Sequence, residues 1–286
     1  MRIVVTGANG MVGRAVIRAV EDHGHEVYSM PRAVLDITNR ASVMESIAGV
    51  SPDALINCAA YTNVDAAESN AAACDSVNID GVGYLADACR SNETVFVTIS
   101  TDYVFSGTHS GFYTQNETPD PKGVYARSKR EGELRAVTSN PRSVIVRTGW
   151  IFGTGGTNFL SVLPNLLAAG RTVNAIANSW GTPTYASDLA FRLVELAVAG
   201  KPGVYHVTNS GRGCSYLEFA EKVCEIGGFD TRLVQAVRHE DIDRPAPRPV
   251  NSRLACLLSE KAGFAPMRHW EAALCEFIKK IKLREF

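Results

Sequence analysis

The sequence predicts an α/β protein in which a doubly wound parallel sheet is followed by a smaller, mixed α/β region. Two observations point to this class. Short β-branched runs alternate with helical stretches through the first half of the chain, and these runs are apolar throughout. Continuous apolar strands that alternate with helices are typical of a parallel sheet covered by helices on both faces.

The elements of the first half follow from these patterns in chain order. Strands are predicted at residues 2–6, 25–29, 54–57, 95–99 and 143–147. Helices are predicted between them at residues 11–22, 40–48, 72–90 and 125–136. Thr38 or Asn39 carries a side chain able to cap the second of these helices. The five strands are therefore expected to lie in one sheet.

The pattern loosens from about Trp150 onward. Helices are predicted at residues 158–169, 187–199, 215–226 and 269–282. The third of these opens with a capping box, in which Ser215 is followed three positions later by Glu218. Residues 243–249 (DRPAPRP) contain three prolines, which predicts an extended loop.

Composition and charge exclude several classes of protein. The chain has 286 residues, with 29 Lys and Arg against 30 Asp and Glu, so a nucleic-acid or anionic-membrane partner is not expected. Neither a signal peptide nor a membrane-spanning stretch is predicted. The seven cysteines contain no CxxC pair, which indicates scattered reduced thiols and a cytoplasmic location.

A glycine-rich segment directly follows the first strand and opens the first helix. Gly7, Gly10 and Gly13 stand three residues apart in it. They suit a tight turn, a close approach of the backbone to a pyrophosphate and close helix packing, while the helix N-terminus offers free N–H groups to the anion. This context predicts a Rossmann-like dinucleotide-binding domain at residues 1–149, rejoined by part of 182–208, and a mainly substrate-binding domain at residues 150–286.

The end of the second strand bears on the choice of cofactor. An NAD-specific site usually places a carboxylate there for the ribose 2′-hydroxyl, but the segment 27–32 (VYSMPR) contains no acidic residue. Arg32 is suited to a 2′-phosphate instead. We therefore expect NADPH, with NADH as the alternative. Asp36 has two roles open to it, as an acceptor for the adenine amine or as a turn residue.

A tyrosine and a lysine are the predicted reacting pair. Tyr125 and Lys129 are four residues apart, so they share one face of a helix. An adjacent ammonium favours the phenolate and is expected to lower the pKa of the tyrosine. Thr101 follows the fourth strand, at the sheet edge where ligands gather, and its hydroxyl can donate to the same carbonyl oxygen.

The motifs together resemble the extended short-chain dehydrogenase/reductases and, within them, the dTDP-4-dehydrorhamnose reductase family. The resemblance runs nearly end to end. It rests on the segments TGANGMVG (6–13), LDIT (35–38), NCAAYTNVDAAES (57–69), STDYVFSG (100–107), VYARSK (124–129), RTGWIFG (147–153), TNFL (157–160), GTPTYASDLA (181–190) and RPAPRPVNSRL (244–254).

The resemblance implies a reduction and assigns residues to it. NADPH would reduce the C4 keto group of dTDP-4-keto-6-deoxy-L-mannose, with Thr101, Tyr125 and Lys129 as the catalytic set. Besides Arg32, Tyr125 and Lys129, the implied cofactor contacts are Gly7, Asn9, Gly10, Met11, Val12, Gly13, Asp36, Ala59, Ala60 and Thr62. Besides Thr101 and Tyr125, the implied sugar-pocket residues are Asp102, Tyr103, Phe105 and Trp150.

Several alternatives stay open at this stage. A sugar-nucleotide dehydratase needs a second carboxylate after Asp102, where this chain has Tyr103. A 4-epimerase, a reductase of another nucleotide 4-keto-deoxysugar and a non-catalytic NADP-binding regulatory subunit share the remaining motifs. Some family members use Mg²⁺ to support a dimer, but no ligand for it can be assigned here. At most one arginine of the set Arg238, Arg244, Arg248 and Arg253 is expected at the diphosphate.

Overall fold

The computed structural model describes residues 1–282, which form a parallel sheet flanked by helices and a second, mixed layer of short strands and helices. The strands are β1 (Arg2–Thr6), β2 (Glu26–Met30), β3 (Ala54–Asn57), β4 (Val95–Thr101), β5 (Val144–Thr148), β6 (Ile151–Phe152), β7 (Val173–Ile176), β8 (Trp180–Gly181), β9 (Thr184–Tyr185), β10 (Gly203–His206), β11 (Cys214–Ser215) and β12 (Val234–Val237).

The helices lie between and after these strands, one at a time in some places and in consecutive runs in others. They are α1 (Met11–Asp22), α2 (Arg40–Val50), α3 (Val64–Ser69), α4 (Ala71–Asp75), α5 (Val82–Ser91), α6 (Val124–Ser139), α7 (Phe159–Ala168), α8 (Ala186–Ala199), α9 (Tyr216–Gly227), α10 (Leu257–Lys261) and α11 (Trp270–Lys282). No helix in this part of the chain combines the length and the apolar character that crossing a membrane requires.

Six parallel strands form the main sheet in the order β2-β1-β3-β4-β5-β10. The order reverses between β1 and β3, so the crossover helices leave this edge on opposite faces of the sheet. Ligands of open α/β sheets bind in the crevice at such a reversal, outside the carboxyl ends of the strands. The fold thus places a cleft next to Thr6 and Asn57, the last residues of β1 and β3.

Both faces of the sheet are buried because successive strand residues point to opposite sides. Ile3 and Val5 of β1 pack in a cluster with residues of α1 and α8, whereas Val4 packs in a cluster with residues of α2 and α5. This two-sided burial explains why the strands are apolar at every position. The predicted doubly wound sheet is confirmed.

The second half of the chain has its own core and also returns to the first. Phe152, Phe219 and Phe277 bring β6, α9 and α11 together in a separate buried cluster. The segment 186–206, with α8 and β10, goes back to the main sheet, where β10 forms its edge beside β5. We propose the same two-domain division as the sequence suggested, with this segment belonging to the first domain.

The structure differs from the sequence-based expectation at the helix predicted over residues 72–90. The chain there forms α4, then one wide π-helical turn at Ser76–Gly81, then α5. The short helix α3, which was not predicted, precedes this run. A π turn adds a residue without changing the apolar spacing much, so periodicity does not reveal it. Such turns are frequent at functional sites.

Candidate active site

The glycine-rich loop has the backbone that its sequence suggested. Gly7 has a φ of +62°, and a Cβ on it would lie 2.6 Å from the amide nitrogen of Ala59. A Cβ on Gly13 would lie 2.3 Å from the carbonyl oxygen of Gly7. Gly10 caps α1 without a side-chain hydrogen bond, and it is exposed together with Asn9. The loop is a cradle that fits a pyrophosphate, with the first N–H groups of α1 facing it.

A buried polar chain fixes the loops at the sheet reversal. The Thr6 hydroxyl donates to the Asn57 side-chain oxygen at 2.6 Å, and the Asn57 amide donates to the Thr98 hydroxyl at 3.0 Å. The same Asn57 oxygen accepts the backbone N–H of Ala59 at 3.1 Å. Ala59 is thereby held against the glycine loop, and the partly buried Ala60 and the exposed Thr62 follow it along the same edge.

Two other predicted cofactor residues pack elsewhere than on the open side of the loop. Met11 is partly buried, and its sulfur accepts the Ser161 hydroxyl at 3.6 Å. Val12 packs on the buried cluster beneath α1. The structure therefore leaves their backbone, at the start of α1, as the part that can face a phosphate.

Arg32 and Asp36 lie next to each other after β2. The Arg32 side chain is 84% exposed and approaches the Asp36 carboxylate at 3.5 Å. Asp36 accepts the hydroxyl of Thr38 at 2.8 Å and its backbone N–H at 3.0 Å, and the hydroxyl bond is the main reason that its pKa is lowered. One oxygen of Asp36 is thus used in a turn, while the guanidinium of Arg32 remains accessible to a ligand.

The predicted reacting groups meet at the carboxyl end of β4. Thr101 ends β4 and its hydroxyl donates to the Asp102 carboxylate at 3.1 Å; it also lies close enough to the phenol of Tyr125 to act on the pKa of that group. Lys129, one helical turn further along α6, is 5% exposed, and its Nζ donates to the carbonyl oxygen of Ile99 at 2.7 Å. The ring of Tyr103 lies 6.1 Å from that of Tyr125 in an edge-on arrangement. The structure thus brings all three predicted catalytic residues to one place.

The expected acidification of the phenol is not found. Burial raises the pKa of Tyr125 to about 12, and the Thr101 hydroxyl opposes this only in part. Burial also lowers the pKa of Lys129 to about 8, against the negative charge of Glu133. The sequence argument considered the ammonium alone, whereas removal of both side chains from water dominates here. A phenol with a raised pKa remains protonated and is able to give up a proton.

A buried carboxyl group adjoins this set. Asp102 is 3% exposed, and burial raises its pKa to about 6, although the hydroxyls of Ser252 and Thr101 lower it. A Cβ on Gly149 would lie 2.2 Å from the Asp102 carboxyl carbon, so only glycine fits at that position. Ser252 also accepts the indole N–H of Trp150 at 3.2 Å. Ser252 therefore binds Trp150 and acts on the pKa of Asp102, while Oδ2 of Asp102 has no hydrogen-bond partner among the described residues.

Aromatic rings line the wall of the pocket in the second half of the chain. The ring of Trp150 stacks on that of Tyr216 with centroids 3.9 Å apart. Trp150 has a φ of +50°, which is rare for a bulky residue and marks a strained backbone. Gly181 makes this possible, because a Cβ on it would lie 1.9 Å from the indole ring. Trp150 and Tyr216 line a small cavity together with Tyr103.

Phe105 does not reach this pocket, contrary to the expectation from the sequence. It is 1% exposed and stacks on Tyr113 at 4.4 Å. The Arg147 guanidinium lies 5.2 Å over its ring, and His206 contacts its edge. The apolar ring is buried in a small cluster with Val104, Tyr113 and Leu254.

Asn78 is a site residue that the sequence argument missed. It lies in the π-helical turn and is 1% exposed. Its amide accepts the backbone N–H of Tyr61 at 2.9 Å and donates to the Ser128 hydroxyl at 3.0 Å. Ser128 in turn donates to the carbonyl oxygen of Tyr125 at 2.8 Å. Asn78 thus ties the loop after β3 to the first turn of α6, and no local sequence signal indicated this.

The arginines around the proline-rich loop are mostly engaged with the protein. Arg238 pairs with Glu240, and Arg253 donates to the carbonyl oxygen of Ser110 at 2.6 Å. Arg248 pairs with Asp65 of α3 at 2.9 Å, and its side chain is only 13% exposed. Arg248 and Arg244 both line the aromatic cavity. These two arginines therefore face the same cavity as Trp150 and Tyr216.

No group of three or more His, Cys, Asp or Glu side chains able to hold a metal ion occurs within residues 1–282. The structure of these residues therefore supports no Mg²⁺ site, which the family resemblance had left possible.

Comparison with known proteins agrees with this site. A family model described as the RmlD substrate binding domain matches residues 1–283. The dTDP-4-dehydrorhamnose reductase of Streptomyces griseus is 39% identical over 281 residues, covering 96% of this chain and 92% of that protein.

Two crystal structures are also closely similar. That of a dTDP-4-dehydrorhamnose reductase from Clostridium acetobutylicum has a TM-score of 0.94 and 33% identity, and the match covers 99% of this chain and 100% of that one. The enzyme of the same name from Bacillus anthracis, in complex with NADP, has a TM-score of 0.93 and 32% identity, with 98% and 99% covered. The chain therefore belongs to the RmlD family, which includes the dTDP-4-dehydrorhamnose reductases that its motifs resemble.

Proposed function

We propose that this protein catalyses the NADPH-dependent reduction of the C4 keto group of dTDP-4-dehydrorhamnose, giving dTDP-L-rhamnose. The observation that carries the proposal is the convergence of Thr101 at the end of β4 with Tyr125 and Lys129 on one face of α6, at the sheet edge next to the glycine cradle. The family relationship supports the same substrate class.

The cofactor would be held by groups already described. The backbone of the loop from Gly7 to Gly13 suits the pyrophosphate, and the exposed guanidinium of Arg32 suits a 2′-phosphate. Lys129 would hold the nicotinamide ribose. Bound NADPH supplies the hydride that the C4 carbon accepts.

The protein's own part in the chemistry is to move one proton. Tyr125 stays protonated at neutral pH because burial raises its pKa to about 12. As C4 is reduced, its oxygen gains negative charge, and the phenol gives its proton to that oxygen. The resulting phenolate is stabilised by the Thr101 hydroxyl and the Lys129 ammonium. The aromatic wall of Trp150 and Tyr216 would pack on the sugar.

The test is a direct assay with a matched variant. Purified protein is mixed with NADPH and dTDP-4-keto-6-deoxy-L-mannose, and the nicotinamide absorbance is followed. We expect oxidation of NADPH and one equivalent of dTDP-L-rhamnose. The Tyr125→Phe variant should lose roughly 100-fold or more in turnover, as expected for a missing general acid, while its NADPH affinity by fluorescence titration stays near normal. Unchanged turnover in this variant would contradict the role of the phenol.

The same assay separates the alternatives. A regulatory subunit would bind NADPH without oxidising it. A 4-epimerase, given the 4-hydroxy sugar in place of the 4-keto sugar, would interconvert its C4 isomers with no net change in absorbance. A reductase of another 4-keto-deoxysugar would give a different C4 stereochemistry in the product. Cell fractionation and sedimentation would test the cytoplasmic location and the homodimer, which stay predictions.

A further inference from the structure

Glu133 is a buried carboxylate that the reaction as described does not use. It lies on α6, one helical turn after Lys129, and is 3% exposed. Arg147 of β5 binds both of its oxygens, with Nε at 2.8 Å from Oε1 and Nη2 at 2.7 Å from Oε2. The Ser100 hydroxyl donates to Oε1 at 2.6 Å, and Arg130 donates to Oε2 at 2.7 Å.

Stability alone is a weak reason for such a cluster. Burying two opposite charges costs solvation that their attraction only partly offsets, and apolar side chains of similar size often do as well. Arg147 is itself 3% exposed, with the ring of Phe105 5.2 Å from its guanidinium carbon on one side. The position of the cluster points to a further role for it.

The cluster joins the segments that carry the reacting groups. Ser100 immediately precedes Thr101 on β4, and Glu133 follows Lys129 by one turn on α6. The Ser100–Glu133 hydrogen bond therefore fixes the position of α6 relative to the carboxyl end of β4. Arg147 connects Glu133 to β5, whose last residue, Thr148, directly precedes Gly149 and Trp150. Loss of the carboxylate would free α6 to shift relative to Thr101.

The cluster also acts on the charge of Lys129. Burial favours the neutral amine, and among the influences that oppose this the carboxylate of Glu133 is the largest, followed by Cys74. Ionisable groups from the elements packed around α6 are Glu68 of α3, Cys74 and Asp75 of α4, Arg90 of α5, Asp102 after β4 and Arg147 of β5. Asp75 is taken up by an ion pair with Arg127 at 2.8 Å.

We propose that Glu133, clamped by Arg147, is a positioning residue for the reduction: it keeps the Lys129 ammonium charged and holds it in register with Tyr125 and Thr101. The inference rests on the proposed reductase function. Without the Glu133 carboxylate, Lys129 loses its proton at lower pH, so the phenolate left on Tyr125 loses its cationic neighbour.

The first experiment compares the pH dependence of kcat in the Glu133→Gln variant and in the unaltered protein. Because the pKa of Tyr125 is raised to about 12 and that of Lys129 is lowered to about 8, the loss of rate at alkaline pH in the unaltered protein should follow Lys129. In Glu133→Gln the alkaline limb of the pH profile, which is the pH range over which kcat falls, should lie about one pH unit lower. The KM for NADPH at pH 6.5, where Lys129 is charged in both proteins, should be unchanged.

A second variant guards against misfolding, since Glu133→Gln leaves the Arg147 charge buried and unpaired. The double variant Glu133→Gln/Arg147→Met removes both charges and should show the same shift. Arg147→Lys keeps the carboxylate, so it should lower the unfolding temperature but leave the limb in place. Glu195→Gln is the matched control, because it breaks an ion pair with the buried Arg192 in α8, away from α6.

A readout without cofactor or substrate completes the test. A lysine whose pKa is lowered in the folded state binds fewer protons there than when unfolded, so the free energy of unfolding rises with pH through that window. This rise in the free energy of unfolding begins near pH 8 in the unaltered protein. It should begin about one pH unit lower in both Glu133 variants. The inference is overturned if folded Glu133 variants keep the alkaline limb and the window of the unaltered protein. Activity in the unaltered protein reports separately on the proposed function.

Discussion

The carboxylate of Glu68 caps the helix that carries Tyr125 from a position 56 residues earlier in the chain: its Oε1 accepts the backbone N–H of Val124 at 2.8 Å. Gly123, the residue before this helix, supplies no side-chain cap of its own. It has a φ of +81°, and a Cβ on it would lie 2.7 Å from the Glu68 oxygen. The start of α6 is therefore fixed by α3, an element that the sequence did not reveal.

We predict that Glu68→Ala destabilises the protein by about 1–2 kcal/mol, because the first N–H of α6 loses a charged acceptor and the helix dipole loses an anion. Denaturant unfolding measures this change. Glu68→Gln retains an acceptor of the same length and should recover most of the loss. An equal free energy of unfolding for Glu68→Ala and the unaltered protein would contradict the cap.

Replacement of Gly13 by alanine should damage the cofactor cradle. The new Cβ would lie 2.3 Å from the Gly7 carbonyl oxygen, so the loop or helix must move. We expect a destabilisation of about 1–3 kcal/mol and weaker NADPH binding by fluorescence titration. Gly49→Ala is the control, since Gly49 lies in α2 with no atom near the added Cβ, and it should stabilise by about 0.5–1 kcal/mol. Unchanged NADPH affinity in Gly13→Ala would count against the cradle.

Arg32→Ala should change cofactor preference and little else. The Arg32 side chain is 84% exposed and its ion pair with Asp36 is long, so stability should hardly change. Loss of a charge-assisted hydrogen bond to a 2′-phosphate should weaken NADPH by about tenfold or more and leave NADH unaffected. Affinities for both cofactors, with the exposed Arg18→Ala of α1 as control, measure this. An equal loss for the two cofactors would rule out a 2′-phosphate contact.

Asp102→Asn should change how stability depends on pH. The pKa of Asp102 is raised from 3.8 to about 6, so the folded state holds a proton there that the unfolded state has released. Its contribution to stability is present below pH 4 and is lost as pH rises to about 6, by up to about 3 kcal/mol. The difference in unfolding free energy between Asp102→Asn and the unaltered protein should therefore grow over this range in favour of the variant.

The difference between the two proteins is the informative quantity, because His206 acts in the opposite direction. Burial lowers its pKa to about 4, so its own contribution rises with pH across the same range in both proteins. A difference that stays constant between pH 4 and pH 6 would mean that Asp102 is not a raised carboxyl group.

The sequence by itself determined the features that depend on neighbouring residues. Continuous apolar strands predicted the parallel sheet, because both of its faces are buried. The spacing of Gly7, Gly10 and Gly13 predicted the phosphate loop, because a turn with a positive φ at Gly7 and a close backbone approach at Gly13 both require glycine. The four-residue spacing of Tyr125 and Lys129 on one helix, with Thr101 at a strand end, predicted which side chains gather. These patterns also supported the family resemblance.

Only the tertiary structure decided what surrounds those residues. The pKa of Tyr125 rises because burial outweighs the opposing influence of Thr101, and Phe105 turns into the core although its motif suggested the pocket. Glu68 and Asn78 contact α6 from distant parts of the chain, and Glu133 of α6 is bound by Arg147 of β5; no spacing rule describes these contacts. Periodicity reports which face of an element is buried, but desolvation and long-range hydrogen bonds depend on what the fold packs against that face.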